Sequence, residues 1–357
     1  MSKHADFQSR RFAGPGFAFG AALLFGVSTP FAKLIGGDIN PWLLAGLLYL
    51  GSGVGLAFWQ VARKGIGARD NEAKLKRADW PWMAAVVVFG GVAGPLLLMF
   101  GLQRTAGSTA SLLLNLEGLA TMAIAWLVYR ESVDRRLLLG ASAILAGAVA
   151  LSWDFSAIAL SGGALLIAAA CLCWGIDNNL TRKLSAADPV QIAMIKGLSA
   201  GATNVTLGFA AGAQMPSIAA ALFAGLLGLL GYGISLVLFV LALRALGAAR
   251  TGAYFSTAPF IGALVAIPLL GEPLTVALAV AAALMGLGVW LHLTEDHEHW
   301  HEHERMAHEH AHVHDGHHQH AHGLEDPLGE PHTHVHTHAP LRHKHVHFPD
   351  LHHRHRH

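Results

Sequence analysis

The sequence predicts an all-α integral membrane protein of ten transmembrane helices, arranged as two inverted five-helix repeats. Three observations predict it. The 357 residues are 53% hydrophobic and 13% charged, against about 25% charged in ordinary soluble domains. Ten apolar runs are each long enough to span a bilayer. One run occurs twice, as NLEGLATMAIAWLVYRE at 115–131 and STAPFIGALVAIPLLGE at 256–272.

The runs fall at roughly 16–35, 41–62, 82–102, 107–129, 136–153, 163–182, 190–212, 218–243, 251–270 and 274–293. The first is longer than the apolar region of a signal peptide and ends in no small-residue cleavage site, so it is expected to be retained. Proline or glycine marks many of the short turns, as at Asn40-Pro41, Asp188-Pro189 and Gly271-Glu272-Pro273. Cys171 and Cys173 both lie inside an apolar run and suggest no disulfide framework. At i, i+2 they diverge on a helix, which favours apolar filler over a soft-metal pair.

Laid over one another without a gap, the two copies match Gly118 with Pro259, Glu131 with Glu272 and Glu117 with Ala258. They lie five helices apart. A weaker echo joins helix 1 to helix 6, where LFGVSTPFAKL sets Gly26 over Gly175 of CWGIDNNLTRKL. Five is odd, so the halves run in opposite directions through the membrane. An inverted repeat is a transporter architecture with its site near the midplane. With the N-terminus inside, sixteen basic residues (Lys3, Arg10, Arg11, Arg63, Lys64, Arg69, Lys74, Lys76, Arg77, Arg130, Arg135, Arg136, Arg182, Lys183, Arg244, Arg250) face the cytoplasm and two, Lys33 and Arg104, face outward. That bias sets both termini on the cytoplasmic side.

Leu116-Glu117-Gly118 with Glu131, and Ala258-Pro259 with Gly271-Glu272-Pro273, make the chain resemble the drug/metabolite transporter superfamily with tandem EamA-type repeats. The resemblance covers about 16–293. It implies a ten-helix fold around a central cavity that exports small solutes. The family pattern often reads Leu-Glu-Pro and then Gly-Glu. Here Gly118 replaces the proline and Arg130 the glycine, so helix 4 is expected to be straighter than the family norm. The parts are then a cytoplasmic N-terminus at 1–15, a first repeat at 16–153, a second at 163–293 and a tail at 294–357.

Glu117 lies near mid-depth in helix 4. A charge there costs about 2.5–3.5 kcal/mol on insertion scales, so an acid in this position is read as a proton-coupling or cation-binding group. The plainer reading is a hydrogen-bonded structural acid. Asp177 and Lys196 flank the helix 6–7 turn near Ala186 by nine and ten residues, which puts them at nearly equal depth. They form either a charge pair lining the cavity or a static pair fixing the hairpin. Asp177, Asn178 and Asn179 cannot all face one way on a helix. Interhelical hydrogen bonding is expected for one of the two asparagines. Arg104, Ser108, Ser111 and Asn115 share another face of helix 4. Asn115 and Tyr254 are weaker substrate-facing candidates. Ser28, Thr29 and Pro30 suggest a kinked wall in helix 1, its hydroxyls bonded to backbone. Glycines 51, 53 and 55 in helix 2 and 225, 228, 231 and 233 in helix 8 read as close packing.

Residues 297–357 hold 23 of the 25 histidines, many in H-x-H alternation. Interleaved acids, prolines and glycines argue for disorder. Neutral imidazoles suit Zn, Ni, Co and Cu. His299, His301, His303, His310, His312, His314, His334, His336 and His338 are the ligand candidates, in a tail that gathers, senses or buffers metal. A solvated, pH-responsive tail is the plain alternative.

The expected function is transport, not catalysis: secondary active export of a small metabolite or drug-like solute across a bacterial cytoplasmic membrane, with a metal-binding regulatory tail. No Walker A motif is present, so an ion gradient or exchange is the default driving force. Glu117 is the titrating group, Asp177, Asn178 and Lys196 face substrate, and one repeat rocks against the other. No cofactor is required. Partners are the lipid bilayer and a small-molecule or metal-ion substrate. No nucleic acid is expected, and a homodimer is left open. The alternatives are divalent transition-metal (Ni, Co, Zn) efflux, and a membrane-anchored metal buffer or sensor without flux.

Overall fold

A computed structural model describes residues 2–37, 39–66, 72–129, 135–154, 159–185, 187–246, 248–293, 298–302, 306–312, 332–338 and 342–346. Ten transmembrane units follow the ten apolar runs. They are α1 (Ser2–Ile35), α2 (Pro41–Gly65), α3 (Arg77–Leu102), α4 (Gly107–Leu113 and Leu116–Tyr129), α5 (Arg135–Ser152), α6 (Gly162–Leu184), α7 (Pro189–Ala210), α8 (Ile218–Leu246), α9 (Ala248–Phe255 and Ala258–Leu270) and α10 (Val276–Leu293). Among the described residues seven of these are long and apolar enough to cross a membrane, with shorter apolar helices at 258–270 and 276–292. Helix α7 has the length, 22 residues, but carries Lys196 and Asn204, both buried.

The caps repeat along with the helices. Asn40 accepts the Trp42 N–H at the start of α2, and Asp188 accepts the Val190 N–H at the start of α7. Each precedes a proline at the first helical position, where no intrahelical N–H bond is lost. Helix α9 ends on Gly271 at φ +64°, the left-handed closure that favours glycine.

Helix α4 is not straight. It breaks at Leu114–Asn115, and α9 breaks at Ser256–Thr257, one residue on from the matching position. Proline is not needed for this. At the α4 break the Asn115 and Glu117 N–H groups reach back only three residues, to Leu112 and Leu114, and the Asn115 side chain donates to Leu112 O at 3.0 Å. A local side chain thus replaces the missing helical bond.

The two repeats do not stand side by side. The largest pairings all cross between them: α2 with α7, α5 with α10, α4 with α6 and α1 with α9. Glycines make this possible, as the sequence suggests. A Cβ on Gly197 would sit 2.5 Å from Gly53 N, and one on Gly288 2.5 Å from Gly140 O. The Glu272 carboxylate, at the end of α9, accepts the Gly107 and Ser108 N–H groups that open α4, at 2.5 and 2.8 Å. An anion at a helix N-terminus is stabilised there. Rocking of one repeat against the other would have to part these contacts.

The face bearing Arg63, Lys183 and Arg244, called the basic face below, is tied across its surface. Arg244 donates to Ser185 O at 2.9 Å and to Ala187 O, and pairs with Glu72 at 2.7 Å. The 72–75 segment docks on the α6–α7 turn through Asp188 N–H to Ala73 O and Leu75 N–H to Gln191 Oε1.

Outside the helices, β1 (Trp153–Asp154) pairs with β2 (Ala159–Leu160) between the repeats. In the tail, expected to be disordered, β3 (Glu298–Glu302) pairs antiparallel with β6 (Arg342–Val346), and β4 (Met306–His312) with β5 (His332–His338). The H-x-H alternation has the two-residue period of a strand, and this is why it extends and pairs. His303 and His314 lie outside the described residues.

Candidate functional site

Elements α1, α2, α4, α6, α7, α8 and α9 converge on one cavity of about 70 Å³. Its polar lining comes from Glu117, Asp177, Asn178, Lys196, Tyr232 and Ser235, and most of the rest is aromatic: Phe25, Tyr49, Trp174, Phe239 and Phe255. The space equals that of two or three waters at about 30 Å³ each, well below the ~300 Å³ of a typical ligand pocket. The site is thus contracted around its own side chains.

Asp177 and Lys196 meet across the α6–α7 hairpin at 2.5 Å, and each is almost fully buried. Each lies seven residues from the basic-face end of its helix, about 10 Å of helix rise. Thr181 donates to the other Asp177 oxygen at 3.3 Å. The wall behind Asp177 is Gly90 of α3, where any Cβ would overlap the carboxyl group.

Glu117 lies nearer mid-depth, just after the α4 break, and is half-buried. Asn178 Nδ2 donates to its Oε1 at 2.8 Å and to Thr121 Oγ1 at 3.2 Å. Among the described residues Glu117 has no salt bridge. Asn179 turns away from the cavity and donates to Thr121 O and Gly175 O, at 3.1 and 2.8 Å. The run Asp-Asn-Asn thus divides three ways: one residue to a base, one to an acid, one to helix packing.

Two candidates fall outside the site. Asn115 is buried on the opposite side of α4, donating to Leu112 O and lying 3.8 Å from Met285 Sδ. Its amide serves the helix break. Tyr254 lines no part of the cavity, and its carbonyl accepts the Thr257 hydroxyl at the α9 break. The adjacent Phe255 faces the cavity instead.

Sequence reasoning missed the aromatic wall. Tyr49 Oη and Trp174 Nε1 both donate to Gly90 O, at 2.7 and 3.1 Å. That carbonyl is free because residues 87–93 of α3 form a π-helical turn in which the Gly94 N–H goes to Phe89 O, and the next donor position, Pro95, has no N–H. Helix α8 has a matching π-turn at 229–234, containing Tyr232. Phe25 is the hub of the rings, with centroids 6.0 Å from Trp174, 5.9 Å from Tyr232 and 5.4 Å from Phe255. The paired glycines of both π-turns were the available signal.

A larger cavity of about 350 Å³ lies near the opposite face, between the end of α1, the start of α2 and the end of α3. Its charged side chain, Lys33, is engaged with Leu102 O. It holds no acid and none of the paired groups, which line the smaller cavity instead.

Among the described residues no group of three or more His, Cys, Asp or Glu could hold a metal ion. In the tail the strand register sets His308, His310 and His312 opposite His336, His334 and His332, and His299 and His301 opposite His345 and His343.

Comparison with known proteins places this arrangement. The pattern of the EamA-like transporter family matches residues 12–153 and 161–294. An uncharacterized transporter of Methanothermobacter thermautotrophicus is 29% identical over 276 residues, covering 72% of this chain and 79% of that protein. A probable 4-amino-4-deoxy-L-arabinose-phosphoundecaprenol flippase subunit ArnE of Pseudomonas paraeruginosa is 37% identical over 109 residues, 30% of this chain and 92% of its own length. Nearly all of that relative thus matches a stretch shorter than one repeat. A solved structure, described only as a crystal structure of protein, superposes with a TM-score of 0.61 at 20% identity, over 78% of this chain and 94% of that one. That likeness shows the fold.

Proposed function

The chain belongs to the EamA-like transporter family, and on that premise we propose that it is a secondary active exporter of a small organic solute, with Glu117 as the coupling group. The observation carrying this reading is the Glu117–Asn178 contact on the wall of the convergent cavity. An acid there with no basic partner exchanges a proton, or a substrate cation, at low cost relative to breaking an ion pair. Asn178 positions the carboxylate. Asp177 and Lys196 fix the α6–α7 hairpin and present a neutral pair to the cavity. Both termini face the cytoplasm of a bacterial cell, a reading supported by the bias of basic residues to one side.

The tail binds Zn, Ni, Co or Cu beside the transporter and regulates it. Support comes from the cross-strand histidine register, since imidazole is the common ligand of these ions. The same 23 histidines favour a second reading, efflux of Ni²⁺, Co²⁺ or Zn²⁺, in which the tail gathers the ion. Against it stands the lack of a three-ligand cluster among the described residues.

The test is flux in proteoliposomes. Wild-type protein should move solute against a proton gradient, while Glu117→Gln should retain its fold and lose that coupling. A Glu117→Gln protein with normal rate and normal pH dependence would remove the coupling role. Metal flux that survives a stop after Leu293 would establish the metal reading. Metal binding without any flux would make the chain a membrane-anchored buffer or sensor.

A further inference from the structure

We propose that the substrate of this cavity is an organic monocation, an amine or alkylated ammonium bearing a hydroxyl group, bound in exchange for one proton on Glu117. The inference rests on the transport reading above and goes beyond it in naming the charge and shape of the solute.

Charge comes first. Asp177 and Lys196 cancel at 2.5 Å. What remains on the cavity wall is the Glu117 carboxylate. The complement of one negative charge is one positive charge. A zwitterion would bring an anion that Lys196, held by Asp177, is not free to meet. A dication would leave a net positive charge, and the ligand set it needs is absent among the described residues.

The wall supplies the second argument. The polar ends of Tyr49 and Trp174 are both committed to Gly90 O, so these rings offer carbon to the cavity. With Phe25, Phe239 and Phe255 they form an aromatic enclosure beside a carboxylate. Ring faces attract cations by about 0.5–2 kcal/mol each, and such enclosures favour alkylated ammonium heads over strongly hydrated ions.

The third argument is an unmet hydrogen bond. Among the described residues the Tyr232 hydroxyl, buried on the cavity lining, has the Ser28 hydroxyl for a neighbour but no partner in hydrogen-bond geometry. A buried polar group left unpaired is costly, by about 1–3 kcal/mol. A hydroxyl on the solute would satisfy it. The small volume demands a compact head, or outward displacement of Phe239 and Phe255.

Exchange follows from there being one such carboxylate. The protonated acid releases H⁺ as the ammonium arrives and takes up H⁺ as it leaves, so one positive charge crosses in each direction and the cycle is electroneutral.

The test uses full-length protein in liposomes containing a pH-sensitive dye. Choline is the probe. Its uncharged carbon analogue 3,3-dimethyl-1-butanol and its zwitterionic analogue glycine betaine are the shape-matched controls. Choline gradients should drive opposite proton movement, and both controls should be at least tenfold weaker. Glu117→Gln should abolish the coupled signal. Phe239→Leu should raise the choline concentration for half-maximal flux about 2- to 30-fold, and Tyr232→Phe should weaken choline more than tetramethylammonium, which has no hydroxyl. Betaine or the neutral alcohol moving as fast as choline would overturn the monocation inference and leave the transporter reading intact. Ni²⁺ flux without choline flux would overturn it in favour of the metal reading. Folded protein that moves none of these solutes would overturn the monocation inference, and one that couples no proton movement to any of a wider panel of amines, amino acids and sugars would overturn the proton-coupled exporter reading.

Discussion

The corner where α6 meets α3 and α4 and the corner where α1 meets α8 and α9 are built alike and charged differently. Overlaying Gly26 on Gly175 matches Ser28 with Asp177 and Thr29 with Asn178. In the first corner Gly90 of a π-turn backs the Asp177 carboxyl, and in the second Gly231 of the matching π-turn backs the Ser28 side chain. Gly175 lets α6 lie against Ala120 and Thr121 of α4, and Gly26 lets α1 lie against Ala258 of α9. The packing was duplicated and kept, while the ionisable groups stand in one copy. The ionisable groups are thus asymmetric where the packing is paired, and paired substitutions in the two corners separate chemistry from packing.

The largest contrast should come from Lys196. Lys196→Met leaves Asp177 buried without its base and should cost about 3–5 kcal/mol, seen as a lower midpoint of thermal unfolding in detergent. The double change with Asp177→Leu should recover most of it. Equal destabilisation by the single and double changes would mean that packing dominates. Next comes Gly90→Ala, which should abolish flux and lower the midpoint, because its Cβ overlaps the acid. Gly231→Ala should be milder, and rescued by Ser28→Gly. Rescue is not expected at Gly90 without losing Asp177, so equal effects at the two glycines would break the comparison. Asn178→Ala should weaken substrate coupling about tenfold, since hydrogen bonds to charged groups contribute about 1.5–3 kcal/mol, with little change in unfolding. The smallest effect belongs to its counterpart. Thr29 is buried and its hydroxyl has no partner among the described residues, so Thr29→Val should be neutral or slightly stabilising and leave flux within about twofold. A large loss there would give the second corner a role in transport.

Much of this was legible in the residues. Span length and apolarity gave ten helices, the duplicated run gave two repeats, and counting from the Ala186 turn put Asp177 opposite Lys196. Depth singled out Glu117. What stayed hidden has a common cause. Aromatic residues within apolar spans look the same whether they face lipid, core or cavity, so Tyr49, Trp174 and Tyr232 carried no mark. Asn115 and Tyr254 were chosen by depth and polarity, yet the Asn115 amide serves the α4 break and Tyr254 meets the α9 break through its backbone carbonyl. Interleaving of the repeats could not be read from helix order, because glycine stripes say that helices approach closely and not which helix approaches. The tail's alternating histidines read as disorder by composition, but as strand by period.

The π-turns in α3 and α8 have a consequence of phase. Each amounts to one residue more than a regular helix needs, and one residue is about 100° of rotation. Upstream and downstream of such a turn, a helix shows different stripes to the same neighbour. In α8 that offset lets Gly225 and Gly228, upstream, lie against Gly51 and Leu48 of α2 while Tyr232, Ser235 and Phe239 look into the cavity. Deleting a single residue from 229–234 would restore an unbroken helix and misalign one of those two contact sets. Helix α8 is thus out of step with itself by design, and its two ends answer to different parts of the protein.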